Sequence, residues 1–279
     1  MVRSLDPLSR HEMDDIGGKM RPFQSMNPDV SLVVPAYHEQ DGIGHAMRAI
    51  LPSIQAAKCK VECIVVANAT DDDKTAEIAE NCGAKVIIEP KKGLTYARQS
   101  GIENTTGSII IQHDGDVRGV PDEHINAHMR HYNNSDNVGV AGFYKFDQVS
   151  IAHKLLYNVP RKMFHLAMAT KCWIQSIESA TIASGSNLSY RRTKVEEFGG
   201  YTSFHDSNNG EDYLMGRHLM ERGTLVDDRS PENTILSDGR RFATAWKVSK
   251  ELRKKVLLGL RRLGSSKTFL EGEQFEDIR

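Results

Sequence analysis

Two aspartates separated by one glycine, Asp114-Gly115-Asp116, follow an apolar, β-branched run that starts at Ser108. Such a run is typical of a buried strand. Two carboxylates one residue apart would repel each other, so their position at a strand end favours a cation or a ribose hydroxyl between them. Hard divalent ions take oxygen ligands of this kind. For the tripeptide alone a polar turn is the simpler interpretation, because Asp and Gly dominate turns for backbone reasons.

Other short polar motifs lie on both sides of this tripeptide. Upstream are Pro35-Ala36-Tyr37-His38-Glu39, Asn68 and the stretch from Lys92 through Gly93 to Arg98. Downstream are Gly185-Ser186-Asn187, Phe198-Gly199-Gly200-Tyr201, Gly210-Glu211-Asp212 and Arg240-Arg241. Each motif is weak by itself, so its meaning depends on where the fold places it.

Strands and helices alternate along the first half of the chain. Apolar runs predict strands at Ser31–Ala36, Val61–Ala67, Lys85–Glu89 and Ile109–His113, and helices between them begin at Asp41, after Asp73 and at Thr95. This alternation implies parallel βαβ units with helices on both faces of the sheet. In such open sheets a ligand lies beyond the carboxyl ends of the strands. Tyr37, Asn68 and Asp114 all follow strand ends, so one nucleotide-shaped pocket can collect them.

The second half of the chain has a different pattern. It predicts a strand at Val138–Phe143, a long helix from about Ile151 to Trp173 and a helix from Glu211 to Gly223. Residues 1–29 follow neither the helix nor the strand period, and we expect a poorly ordered arm there.

Composition limits the classes of protein that the chain can represent. The 279 residues are 39% hydrophobic and 26% charged, which is ordinary for a globular domain. A formal charge of −1 argues against a dedicated nucleic-acid binder. The four cysteines lack paired C-x-x-C spacing, which favours reduced thiols over a zinc site or disulfides. No apolar run approaches the roughly 20 residues that span a bilayer, so we expect a soluble, cytoplasmic protein.

The end of the chain is basic. In residues 244–264, apolar side chains recur at helical spacing while lysines and arginines occupy the opposite face, and residues 265–279 are expected to be a flexible tail. The helix either docks on the domain with a solvated basic face or acts as a peripheral anchor that contacts anionic lipid. Sequence alone leaves both interpretations open.

Taken in order, the motifs resemble the family 2 glycosyltransferases with the GT-A fold, over roughly residues 30 to 241. The resemblance implies an α/β fold with a Rossmann-like, mostly parallel central sheet flanked by helices, and a smaller mixed region on the acceptor side. It divides one domain, residues 30–243, into a nucleotide-binding half at 30–118 and an acceptor-binding half at 119–243.

The resemblance also implies roles on the donor side. Asp116 would ligate Mn²⁺ or Mg²⁺, while Asp114 would hold the ribose hydroxyl or share the metal. Contacts to the donor nucleotide would come from Pro35, Tyr37, Glu39, Asn68, Lys92, Arg98, Asp114 and Gly115. Asn68 stands where the family commonly has Asp, which weakens the preference for uracil. For Lys92 and Arg98, a surface lysine and a helix arginine are equally good interpretations.

Further roles implied by the resemblance lie on the acceptor side. Asp212 would be the general base, with Glu211 as the next candidate, and Gly185, Ser186 and Asn187 would line the sugar pocket. As acids in the first turn of a helix, Glu211 and Asp212 would also complement its dipole, and the two roles are compatible. Arg240 and Arg241, in a glycine-containing loop, would close over the diphosphate.

The predicted function is inverting, metal-dependent transfer of one sugar from a nucleotide-diphospho-sugar, with a UDP-sugar favoured, to an acceptor hydroxyl. The Gln-x-x-Arg-Trp motif of the family's polymer synthases is absent from this chain, which favours a single-sugar transferase. One alternative is a nucleotidyltransferase, but Pro35–Glu39 is not the Gly-rich, basic loop that such an enzyme needs. The other is a non-catalytic donor-binding module, which the intact Asp114, Asp116 and Asp212 disfavour. The sugar and the acceptor stay open, and a nucleic acid is a disfavoured acceptor.

Overall fold

The computed structural model describes residues 6–68, 73–146, 185–204 and 211–238. Its strands are β1 (Val30–Ala36), β2 (Val61–Asn68), β3 (Lys85–Glu89), β4 (Ile109–His113), β5 (Val117–Gly119), β6 (Asn137–Phe146), β7 (Asn187–Arg191), β8 (Thr224–Asp228) and β9 (Thr234–Ser237). Its helices are α1 (Arg10–Met20), α2 (Ile43–Gln55), α3 (Thr75–Asn81), α4 (Leu94–Glu103), α5 (His124–Met129), α6 (Arg192–Glu196) and α7 (Glu211–Met220). Short 3₁₀ turns cover Arg21–Phe23, Arg130–Asn133, Gly200–Phe204 and Pro231–Asn233.

The strands form one mixed sheet in the order β3-β2-β1-β4-β7-β6-β9-β5, and β8 pairs with β6 outside this path. Strands β1 to β4 are parallel, and β7 is antiparallel to both β4 and β6. Strands β8 and β9 are parallel to β6, and therefore run in the same direction as β4. The carboxyl ends of seven described strands and the start of β7 consequently meet at one edge of the sheet. The predicted mostly parallel sheet with a smaller mixed region is confirmed.

Helices pack on both faces of the parallel strands, as the sequence pattern predicts. Leu32 and Val34 of β1 share one apolar cluster with Met47 of α2, while Val33 belongs to a cluster on the other face that contains Ala97 of α4. Every residue of β1 and β2 is buried. Burying one such aliphatic side chain contributes about 1.5 to 3 kcal/mol relative to leaving it exposed, so these two strands form a rigid base for the loops at their carboxyl ends.

The N-terminal segment differs from the poorly ordered arm that we expected for residues 1–29. Helix α1 begins with a capping box, in which Ser9 and Glu12 each bond to the other's backbone N–H. Ile16 and Met20, one turn apart, are buried in the same cluster as α2. A Cβ on Gly17 would lie 2.2 Å from the carbonyl oxygen of Asn81, so the glycine permits close packing there. Met13, Ile16 and Met20 recur at spacings of three and four, but Gly17 and Gly18 lower the local helix propensity, and tertiary packing stabilises the helix.

Several predicted elements lie outside the described residues. They are the helix from Ile151 to Trp173, the arginines Arg240 and Arg241, the basic segment 244–264 and the tail 265–279. These stay predictions. Within the four described ranges, no helix has both the length and the apolar character needed to cross a bilayer.

Candidate functional site

The Asp114-Gly115-Asp116 tripeptide forms a turn between β4 and β5 at the carboxyl edge of the sheet. The N–H of Val117 donates to the carbonyl oxygen of Asp114 at 3.3 Å, which closes the turn. A Cβ on Gly115 would lie 3.1 Å from the carbonyl oxygen of Pro35, so the turn packs tightly on the end of β1. The tripeptide is therefore a polar turn and also presents two acids at the predicted ligand edge, and the two interpretations of the sequence are compatible.

Arg98 of α4 joins the acid at this turn to the acids at the start of α7. Its Nη2 lies 3.3 Å from Asp114 Oδ1, and its Nη1 lies 2.9 Å from Glu211 Oε1 and 3.2 Å from Asp212 Oδ1. The Arg98 side chain is only 2% exposed, whereas the three carboxylates are 23–32% exposed. The guanidinium therefore lies beneath the acids, and it does not present itself to a donor nucleotide as the sequence suggested.

The Gly185-Ser186 segment lies next to Arg98 and contacts both Asp114 and Asp212. The N–H of Gly185 donates to Asp212 Oδ2 at 3.1 Å, and the Ser186 hydroxyl donates to Asp114 Oδ2 at 2.5 Å. A Cβ on Gly185 would lie 1.9 Å from Arg98 Nη2, so this position needs a glycine to let the guanidinium approach. Two of the three predicted sugar-pocket residues thus border the acidic cluster.

The third predicted sugar-pocket residue, Asn187, is buried beneath the site. Its amide nitrogen donates to the carbonyls of Phe143 and Asn233, and its Oδ1 lies 3.0 Å from His128 Nε2. Burial lowers the pKa of His128 to about 3, so this imidazole is neutral near pH 7. Asn187 therefore supports the start of β7, and its side chain does not line the cleft.

Glu211 and Asp212 titrate differently although they are neighbours. Burial, followed by the charge of Asp212, raises the pKa of Glu211 to about 7. Burial also acts to raise the pKa of Asp212, but Arg98 and hydrogen bonds from Glu211 and the Gly185 N–H outweigh it and lower that pKa. Asp212 is consequently the ionised member of the pair near neutral pH. A paired set of a proton donor and an ionised acceptor is suited to general acid–base chemistry.

The backbone of Asp116 is fixed by a hydrogen bond from the residue that follows β9. Asp116 is 7% exposed, and its carbonyl oxygen accepts a 2.9 Å hydrogen bond from the N–H of Asp238, just beyond β9. Arg118 Nη2 and Nε donate to Asp238 Oδ2 at 2.8 and 3.1 Å, within a largely buried ion pair. The sequence analysis did not identify Arg118 or Asp238. The available signal was the spacing, since Arg118 follows Asp116 by two residues and Asp238 immediately precedes the predicted diphosphate loop.

The two loops that carry the predicted nucleotide contacts Tyr37 and Lys92 follow β1 and β3. Lys92 Nζ lies 5.2 Å from the centroid of the Tyr37 ring, which brings two of the predicted nucleotide contacts together. His38 has a left-handed φ of 48° and packs edge-on against Tyr37. The N–H of Glu39 donates to Thr75 Oγ1 at 3.0 Å, which anchors the loop to α3.

Asn68 supports one of these loops from below. Its amide nitrogen donates to the carbonyl oxygens of Glu89 and Lys91 at 3.2 and 2.5 Å, and its Oδ1 accepts from the N–H of Gly93 at 2.9 Å. The side chain is 3% exposed. Because its hydrogen-bonding groups are used within the protein, Asn68 positions the loop that carries Lys92 and does not offer its amide edge to a base.

Replacing Asn68 by Asp tests this supporting role. The substitution removes two N–H donors and places a carboxylate oxygen against the carbonyls of Glu89 and Lys91. We expect the free energy of unfolding to fall by about 1 to 3 kcal/mol, the usual penalty for unsatisfied buried groups, as measured by urea denaturation. Asn134→Asp is the matched control, because this exposed side chain acts only as an acceptor, from Asp136 N–H. Equal stability of Asn68→Asp and wild type would contradict the assignment.

The described residues fit a divalent ion that is shared with a ligand. No group of three or more His, Cys, Asp or Glu side chains in that part of the chain is arranged to hold a metal by itself. Mg²⁺ is commonly bound by one or two carboxylates together with substrate phosphates. Asp116, with Asp114 beside it, would supply such a partial set of oxygen ligands at the end of β4.

Known structures share this fold at low sequence identity. A mannosyltransferase from Pyrobaculum calidifontis, in complex with GDP-Man and Mn²⁺, has a TM-score of 0.58 and 16% identity, over 87% of this chain and 66% of that one. Glucosyl-3-phosphoglycerate synthase from Mycobacterium tuberculosis, in complex with Mn²⁺ and UDP-glucose, has a TM-score of 0.58 and 14% identity, over 94% and 85%. At these identities the likeness concerns the fold, and it confirms the predicted GT-A architecture.

Among curated proteins, the undecaprenyl-phosphate 4-deoxy-4-formamido-L-arabinose transferase of Sodalis glossinidius is 26% identical over 100 residues, which is 34% of this chain and 31% of that protein. The chain spans about three tenths of the length of the curated relatives that it matches. The sequence model described as glycosyl transferase family 2 matches residues 31–199, more than half of the chain, and the chain therefore belongs to glycosyl transferase family 2.

Proposed function

We propose that this chain transfers one sugar from a nucleotide-diphospho-sugar to an acceptor hydroxyl, with inversion and with the help of a divalent metal ion. The observation that carries the proposal is the cluster around Arg98. One buried guanidinium contacts the first acid of the β4 turn and both acids at the start of α7. A donor-side acid and an acceptor-side base are thereby adjacent, as a single displacement at one carbon requires.

On the donor side, the leaving group is a nucleoside diphosphate, and negative charge develops on its oxygen. Asp116, with Asp114, would hold the divalent ion, which when bound neutralises this charge. Lys92 and Tyr37 lie on the neighbouring loops and would contact the nucleotide. The Mn²⁺ complexes of the two related structures, one with GDP-Man and one with UDP-glucose, support this chemistry. These complexes leave the nucleotide undecided, and a UDP-sugar stays our preferred donor.

On the acceptor side, a hydroxyl must lose its proton during attack, whereas a phosphate acceptor is already ionised. Asp212 is the ionised member of the acid pair, and it would accept the proton of a hydroxyl. Three carboxylates surround a single guanidinium here, so these side chains provide no excess positive charge that would attract an anionic acceptor. The Sodalis relative, by its name, acts on a polyprenyl phosphate. We therefore place a lipid phosphate second, as the alternative acceptor.

Three measurements test the proposal. Calorimetry with UDP-, GDP- and TDP-sugars, in Mn²⁺ or in chelator, identifies the donor, and release of free sugar and nucleotide then reports its activation. Hydroxyl acceptors and short polyprenyl phosphates are next compared with the best donor. Binding of one donor class that depends on Mn²⁺, with transfer to a hydroxyl, is the expected result. Failure of every donor to bind would refute the proposal, and preferred transfer to the polyprenyl phosphate would replace the hydroxyl acceptor.

A further inference from the structure

We infer that Arg98 is a positioning residue, which together with Gly185-Ser186 closes a ring of hydrogen bonds through Asp114 and Asp212 and so fixes the donor-side acid relative to the acceptor-side base. The kinetic consequence rests on the proposed function. The ring itself is a feature of the structure, and it can be tested without a sugar donor.

Four contacts make up the ring. Arg98 Nη2 contacts Asp114 Oδ1, and Ser186 Oγ donates to the other oxygen of the same carboxylate. Arg98 Nη1 contacts Asp212 Oδ1, and the Gly185 N–H donates to the other oxygen of that carboxylate. Because Gly185 and Ser186 are consecutive, the peptide between them closes the ring. Both oxygens of each acid are thus held, and neither carboxylate can rotate without breaking a bond.

The residues in the ring come from distant parts of the chain. Arg98 and Asp212 are separated by 114 positions, and Asp114 and Ser186 by 72. The ring therefore connects α4, the turn after β4, the segment before β7 and the start of α7. A relative shift of any of these elements would move the metal-side acid away from the base.

The planar guanidinium suits this role, and a lysine does not. Its terminal nitrogens point at separate carboxylates in a fixed geometry, whereas an ammonium is a compact charge on a flexible stem. Removing the cation would leave three carboxylates without their shared partner, and uncompensated buried charge is strongly unfavourable. The Arg98 guanidinium also lies 5.7 Å from the Tyr201 ring centroid, which limits its movement.

The matched control is Arg191, at the opposite end of β7. Its guanidinium lies 5.2 Å from the Tyr132 ring, and it donates to three backbone carbonyls, of Asn137, Tyr132 and Asn134. Arg191 resembles Arg98 in its aromatic neighbour and in its several hydrogen bonds, but it donates these hydrogen bonds to backbone carbonyls instead of carboxylates. Arg191→Lys therefore reports the general effect of replacing a structural arginine.

The kinetic test compares Arg98→Lys, Gly185→Ala and Arg191→Lys in the full chain. A misplacement of about 1 Å can reduce turnover roughly 10²-fold. We expect Arg98→Lys to lower kcat by at least about that factor at saturating donor, while the acceptor KM changes little. Gly185→Ala should act in the same direction, because its Cβ would lie 1.9 Å from Arg98 Nη2 and force the guanidinium out of its position. Near-normal kcat in either variant, or an equal loss in Arg191→Lys, would overturn the inference.

A double-mutant cycle provides a readout that needs no activity. Unfolding free energies are measured for Arg98→Met, Asp212→Asn and the double variant, and in parallel for Arg191→Met with Asp212→Asn. We expect clear non-additivity for the first pair and additivity for the second. If the wild type transferred no sugar, the proposed function would fail, and the ring would be judged by this cycle alone. Additive changes in the Arg98 pair would then refute it.

Discussion

Asp212→Asn is expected to lower sugar transfer by roughly 10² to 10⁴-fold while donor and metal affinity stay close to those of the wild type. The substitution keeps the size of the side chain and its Oδ1, but it removes the proton acceptor. Asp212 is the member of the acid pair whose pKa is lowered, mainly by Arg98, against the effect of burial. A donor titration next to a transfer assay separates lost turnover from lost binding.

The competing explanation is that Asp212 only stabilises the start of α7. An acid in the first turn of a helix contributes about 0.3 to 1 kcal/mol through the helix dipole. In that case Asp212→Asn would lower stability slightly and leave transfer nearly unchanged. Glu211→Gln is the informative companion, because Glu211 is the next candidate for the base. Loss of transfer in Glu211→Gln, with near-normal Asp212→Asn, would move the assignment to Glu211.

The pH dependence of transfer reports on the same pair. Burial and the neighbouring charge of Asp212 raise the pKa of Glu211 to about 7. Below that pH the protonated Glu211 carboxyl donates a hydrogen bond to the ionised Asp212 and weakens it as a base, and above that pH Glu211 loses the proton and this hydrogen bond. We therefore expect transfer to increase as the pH rises through about 7, and this step to disappear in Glu211→Gln. A step that persists in Glu211→Gln would show that a different group titrates.

Asp116→Ala is expected to abolish most of the metal-dependent donor affinity. Mutations of residues that merely hydrogen-bond to metal ligands lower metal affinity by about 10 to 100-fold, so the loss of a direct ligand should exceed this range. Asp114→Asn should have a smaller effect on the metal, because both oxygens of Asp114 are already held by Arg98 and Ser186. Calorimetry of donor binding in Mn²⁺ and in chelator measures both variants.

The control for Asp116 is Asp122, an exposed acid shortly after β5. Asp122→Ala changes the net charge equally but should not affect the metal-dependent component of donor binding. Because Asp116 is largely buried, circular dichroism and a thermal melt must first confirm that Asp116→Ala is folded. Identical donor affinity of folded Asp116→Ala and wild type, in Mn²⁺, would remove Asp116 from the metal site.

The sequence by itself predicted the first four strands, β1 to β4, closely. Strands β3 and β4 have the predicted bounds, and β1 and β2 differ by one residue at one end. Strands β1, β2 and β4 are buried along their whole length, so their residues are mostly apolar and the pattern is local and continuous. Strand β3 lies at the edge of the sheet and is partly exposed, but its Val86-Ile87-Ile88 run gives the same signal. The positions of Asp114 and Asp116 at the ligand edge follow from the same pattern, because the acids come directly after a strand whose direction is set by its parallel neighbours.

Only the tertiary structure decided what several individual side chains do. Asn68 and Arg98 both lie near the predicted site, but their buried contacts make them supports for a loop and for three carboxylates. Helix α1 is not predicted from its sequence because Gly17 and Gly18 interrupt a short pattern of Met13, Ile16 and Met20, and these side chains are stabilised only when the core packs against them. Local pattern reports which residues face inward and where a strand ends. The partners of Arg98 in α7 lie more than a hundred residues away in sequence, and only folding brings them together.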